Sequence, residues 1–227
     1  MFIFPTHLFN PTAIKADVVP TMISGGTALN GDETVIQTDG GGRWNITYSG
    51  IILRTPKMFR KWDAWTSYMA GRSFMVPLVS LLTAPRPIAG GVQARPSSLA
   101  ADDDYFPQSV EYAAPYIVAK TAGSSALRAT TLTINVTQGS RIEGGEKFSI
   151  GGRGYKIERV TARSDQQATC IISPPLRAAV GHEATVNFDW PVVQCRLVPG
   201  QDFAPNLAFG RRAEMSVSFV EDFSDAA

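Results

Sequence analysis

Charge is scarce in this 227-residue chain: Asp, Glu, Lys and Arg make up 18% of it, against about a quarter in ordinary globular proteins. The charge also balances, with 21 basic and 20 acidic residues and a net of +1. That balance argues against a protein built to grip nucleic acid or to coat an anionic membrane. No apolar run approaches the ~18 residues of a membrane-spanning helix. The start, Met1 to His7, lacks both a positively charged n-region and a long apolar h-region, so no signal peptide is expected. Cysteine is nearly absent. Cys170 and Cys195 both sit inside strand-like runs and read as two buried thiols of a reducing compartment, with a disulfide between neighbouring strands as the less common alternative.

The chemistry of catalysis is thin as well. His7 and His182 are the only histidines, and neither has Cys or Asp neighbours at metal-ligand spacing. There is no Gly-x-Ser-x-Gly elbow. Neither cysteine lies beside a histidine or at a helix start that would activate its thiolate. The run Asp39-Gly40-Gly41-Gly42 leads into a strand, without the Lys-Ser/Thr ending of a phosphate loop, and reads as a hinge. Contiguous Asp102-Asp103-Asp104 lacks the alternating ligand spacing of a calcium loop and reads as a solvated turn. No catalytic residue, metal ligand or cofactor is therefore expected, and the protein is not read as an enzyme.

Glycine (20) and proline (15) are plentiful, which favours short strands and turns. Thr34–Gln37 reads as a short strand after the turn Asn30-Gly31-Asp32. In Arg43–Leu53, Trp44, Ile46, Tyr48, Gly50 and Ile52 fall on one face and Asn45, Thr47 and Ser49 on the other, a half-buried strand. One helix follows. Thr55 is its N-cap, Pro56 suits its first position, and Gly71 its left-handed stop. Met58, Trp62, Trp65 and Met69 form its apolar stripe, broadened by Phe59. Lys57, Arg60, Lys61 and Asp63 take its polar sides, and Lys57, Arg60, Lys61, Arg72 and Arg211-Arg212 read as polar faces or a subunit contact. Ser73–Leu82, with Pro77 inside, reads as an edge or bent strand. Thr83–Pro115 is irregular and proline-rich.

From about 116 to 190 short strands recur: Thr130–Val136, Phe148–Ile150, Tyr155–Val160, Ala168–Ile172 and Ala184–Phe188. They suggest a small barrel or sandwich. Val193, Cys195 and Leu197 alternate next. Then Ala213, Met215, Val217 and Phe219 alternate against Glu214, Ser216, Ser218 and Glu221. The expected fold is mainly β (α+β): a belt-like β-sandwich with one packed α-helix, formed by residues 1–115 and 190–227, with a small barrel or sandwich inserted at 116–189. Tyr155 and Trp190 are the aromatics that could stack on a sugar in such an insert. Core packing is the commoner use of both.

Two stretches together resemble a known family. The first is Gly41-Gly42-Arg43-Trp44, Trp62-Asp63-Ala64-Trp65 and Ala70-Gly71-Arg72. The second is Phe148-Ser149-Ile150-Gly151, Tyr155-Lys156-Ile157, Ile171 to Arg177 through Pro174-Pro175, and Pro191 to Leu197. Their order and spacing resemble distal tail proteins of long-tailed bacteriophages and gene-transfer particles, over about Gly41 to Leu197. The resemblance implies a six-copy ring at the virion tail tip, assembled in the bacterial host cytoplasm. It implies as partners the tail tube protein, the tail hub, and tape-measure or fibre proteins; the balanced charge and the short apolar runs separately speak against nucleic acid and a membrane span. The expected role is structural. The alternatives are a carbohydrate- or host-surface-binding module and another tail ring protein such as a terminator. A ring subunit buries two different faces against its neighbours, and a thinly charged surface suits that burial.

Overall fold

The computed structural model describes residues 1–27, 29–37, 41–79, 83–89, 92–93, 98–201, 205 and 212–224. Asp39 and Gly40 of the glycine run, Ser80–Leu82, Gly90, Gly91, Pro96 and Arg211 lie outside them.

In chain order the elements begin with α1 (Thr6–Phe9), β1 (Ala13–Val19), β2 (Met22–Thr27), β3 (Glu33–Gln37), β4 (Arg43–Leu53), α2 (Pro56–Met69) and β5 (Phe74–Pro77). Four short strands follow: β6 (Ile88–Ala89), β7 (Val92–Gln93), β8 (Leu99–Ala101) and β9 (Val110–Tyr112). Then come β10 (Val118–Thr121), β11 (Thr131–Gln138), β12 (Lys147–Ile150), β13 (Arg153–Ser164), β14 (Gln167–Ser173) and β15 (Thr185–Val186). β16 (Val192–Leu197) and β17 (Ala213–Glu221) end the fold. It is mainly β, as the turn-rich composition predicts.

A five-stranded sheet runs β1-β4-β17-β16-β5, so its strands come from both ends of the chain. A six-stranded sheet runs β12-β13-β14-β11-β10-β15 and is built wholly from the strands between. Its two ends nearly meet, because the backbones of Ser149 and Asn187 exchange hydrogen bonds of 3.0 and 2.9 Å, giving a near-closed barrel. Each sheet has its own apolar core.

Helix α2 forms as its sequence dictates. The Thr55 hydroxyl accepts the Met58 N–H at 3.3 Å, Pro56 opens the first turn, and Gly71 takes φ +70° past the last one. Trp62, Trp65 and Met69 are fully buried against the five-stranded sheet, where Phe4, Phe9, Tyr48 and Phe219 join them. Lys61 departs from its predicted polar side and is 4% exposed. Its ammonium donates to the Asp104 carbonyl and lies 3.7 Å from the Asp104 carboxylate. A second helix, the single turn α1, was not predicted; it covers the same core through Phe9.

Strand β4 alternates as predicted up to Tyr48 and then changes phase. Ile51 and Leu53 are buried, whereas Ile52 is only half-buried. The cause is a β-bulge: Ser49 and Gly50 together oppose the single residue Ser216, between the pairs Tyr48–Val217 and Ile51–Met215. Gly50 takes φ +67°, and a Cβ there would sit 1.8 Å from the Thr12 hydroxyl, so only glycine fits the bulge. β5 is an edge strand and Pro77 ends it, where a missing N–H costs the ladder least. The residues before α1 run alongside its free side through a parallel bridge from Ile3 to Met75.

Candidate functional site

Three features stand out above this scaffold: a polar junction between the sheets, an uncovered hairpin and a cavity.

The junction centres on Glu221. It lies in register with the inward row Ala213, Met215, Val217 and Phe219, not on the polar face predicted for it, and its side chain is fully buried. Such a burial needs partners. The Arg177 guanidinium, 12% exposed, donates from Nε to Glu221 Oε1 at 3.2 Å and from Nη2 to the Gly42 carbonyl at 2.6 Å. The Trp44 backbone N–H donates to Glu221 Oε2 at 3.0 Å. Arg177 belongs to the barrel side, following β14, so this ion pair ties the barrel to β4 and β17. More ties surround it. Trp44 Nε1 donates to the Gly154 carbonyl at 2.8 Å, Lys147 Nζ to the Ala16 carbonyl at 2.5 Å, and Arg153 to the Asp222 carbonyl at 2.5 Å. Burial holds the Lys147 ammonium below its usual range. Two guanidiniums stand over the Phe223 ring, Arg177 at 4.5 Å and Arg43 at 4.9 Å from its centroid. Gly154 has no room for a side chain, since its Cβ would meet Val193 at 2.2 Å. These bonds cross-link the two sheets.

The hairpin β2–β3 has the opposite character. Every residue of β2 is exposed, and Met22, Ile23, Val35 and Ile36 each expose more than half of their surface, as Leu29 does at the turn. Among the described residues its strands pair only with each other. Among the described residues the preceding strand β1 carries no strand on its outer side, so it is an open edge of the five-stranded sheet.

Among the aromatics named from sequence, Tyr155 lies in the barrel core, 1% exposed and packed on Phe148, where no sugar reaches it. Its hydroxyl accepts the Arg177 backbone N–H at 3.0 Å, and burial raises its pKa. Trp190 packs with Ile3 and Val110 between the sheets and lines a cavity of 320 Å³.

The acidic turn is solvent-exposed, as predicted, and it also staples its own loop. Asp102 accepts the N–H groups of Gln108 and Ser109, and Asp103 those of Tyr105 and Phe106. Asp104 pairs with Lys57 at 2.7 Å, which holds its carboxyl below the usual range. The Asp104–Lys57 pair carries no sequence signal, because its members lie 47 residues apart, whereas the partners of Asp102 and Asp103 are backbone N–H groups of the next few residues. Both cysteines are buried and free. Burial pushes the Cys170 thiol up to about 11 and Cys195 well above its ordinary value. Among the described residues no three His, Cys, Asp or Glu side chains stand close enough to hold a metal ion, and no helix is long and apolar enough to cross a membrane. Compared with known proteins, the chain matches no family model and no curated protein.

Proposed function

We propose that the chain is a structural subunit of a closed ring of six copies at the distal end of a long tail tube, joining the tube to the hub and fibre-bearing proteins of a phage-like particle. The family resemblance of Gly41–Leu197 supplies the setting. The hairpin β2–β3 is the observation that supports the ring. A lone two-stranded hairpin is at best marginally stable in water, and one with apolar side chains on both faces is a surface waiting for a cover. In a head-to-tail ring the cover is the next copy.

The magnitudes say how the ring would hold. Covering the five half-exposed apolar side chains is worth on the order of 5 kcal/mol per hairpin. Association costs about that much or more in lost freedom. The hairpin alone therefore breaks even at best, and the open β1 edge beside it in the chain is the natural source of further bonds. Closure of the circle then lets every subunit be held twice. The cross-linked junction between the sheets suits a part that transmits position along a tube and transforms nothing.

Native mass spectrometry and electron microscopy of the concentrated wild-type chain test this reading. The expected result is a six-membered ring, lost in Ile23→Asp/Ile36→Asp while circular dichroism stays unchanged. A wild-type chain that remains monomeric at every concentration overturns it. A terminator ring would use the same hairpin, and axial position in the particle separates the two.

A further inference from the structure

The cavity beside Trp190 opens between β9, the entry to β10, and β15. Its 320 Å³ is far more than one water needs (about 30 Å³) and stands at the small end of ligand pockets, which begin near ~300 Å³. One side chain or one small molecule fits it, not an oligomer.

Its lining combines an aromatic pair with unmatched negative charge. The rings of Tyr112 and Trp190 stand nearly perpendicular, at 87°, with centroids 6.4 Å apart. Asp189 and Glu111 both line the cavity, and neither has a cation within ion-pair distance among the described residues. Asp189 accepts the Tyr116 and Ile117 N–H groups at 2.9 and 3.1 Å. A carboxylate offers about four acceptor positions, so part of its capacity is unused. Its burial without a counter-charge pushes its pKa up, and burial, helped by the Asp189 charge, raises that of Tyr112. Lys120 also lines the cavity, but its ammonium is held by Glu183 at 3.1 Å. The Trp190 indole N–H is buried and lacks an acceptor among the described residues.

The geometry points to a binding pocket for a guanidinium-bearing side chain presented by another polypeptide, with the charge set against Asp189 and Glu111, the flat group over the face of one of the two perpendicular rings, and a backbone carbonyl of that polypeptide accepting the Trp190 indole N–H, which a guanidinium cannot do. An aromatic face attracts a cation through its quadrupole. Guanidinium matches this lining better than ammonium, because it is planar, stacks, and presents paired donors to a carboxylate. The inference is independent of the ring.

The test uses the full chain and capped arginine (N-acetyl-arginine methylamide) as the probe, with the capped citrulline analogue as its uncharged isostere. Nuclear magnetic resonance follows the Trp190 indole N–H, assigned with Trp190→Phe. The expected result is a saturable shift with arginine, at least about tenfold weaker with citrulline, and similarly weakened in Glu111→Gln and Asp189→Asn. Glu111 is exposed, so its variant leaves the fold intact. Equal response to both probes, no response to either, or a preference for a neutral methyl pyranoside overturns the proposal.

Discussion

Replacing Arg177 by methionine removes the guanidinium and leaves the Glu221 carboxylate in a fully buried position with only the Trp44 N–H to satisfy it. Breaking a buried ion pair from one side costs about 3–5 kcal/mol, because the surviving charge is uncompensated. That is a large share of the ~5–15 kcal/mol that holds a domain folded. At about 2–4 °C per kcal/mol for a chain of this size, the melting temperature falls by roughly 10 °C. Glu221→Gln should cost less, about 1–2 kcal/mol, since the amide oxygen still accepts from Trp44 and Arg177 keeps the Gly42 carbonyl. The sharp expectation concerns the pair. Arg177→Met/Glu221→Gln should be more stable than Arg177→Met alone by at least about 1 kcal/mol, since it removes the stranded charge. Urea denaturation followed by tryptophan fluorescence, with calorimetry, measures all four proteins. If Arg177→Met costs under about 1 kcal/mol, or the second substitution adds to the loss, the pair does not hold the sheets together as argued.

Gly154→Ala tests the same junction by sterics. Its new methyl would meet Val193 at 2.2 Å and crowd the Trp44 indole at 3.2 Å, so overpacking should cost about 1–3 kcal/mol and lower the melting temperature by roughly 3–10 °C. His7 predicts a pH dependence. Burial, helped by the nearby Lys61 charge and opposed by Asp104, holds its pKa below the ordinary 6.5. The unfolded chain therefore binds more protons than the folded one between that lowered value and 6.5. Its contribution is complete above 6.5 and is lost as pH falls through the folded value, so melting temperature should drop from about pH 7 to about pH 5, and His7→Gln should flatten that drop.

Where information is local, the sequence is a good guide. The cap Thr55, the opening Pro56, the Trp62/Trp65/Met69 stripe and the Gly71 stop lie within one helix length of each other, and each acts through its own neighbours. Strand alternation likewise identifies β11, whose Leu132, Ile134 and Val136 are buried. Alternation fails at Gly50, because a bulge depends on the partner strand 160 or more residues further along. It also places Glu221 outside only if charge is assumed to mean exposure. The period itself sets that residue in the inward row.

A mainly β chain with one long amphipathic helix, thin balanced charge and two quiet thiols is legible in the amino acids alone, because propensity, period and composition are properties of short windows. The tertiary structure alone decided that Glu221 meets Arg177, that Lys61 is buried over Asp104, that Tyr155 is sealed in a core while Trp190 borders a cavity, and that one hairpin keeps its apolar faces in water. Those outcomes depend on which distant segments come together, and the low-dielectric interior they create sets the worth of every charge inside it.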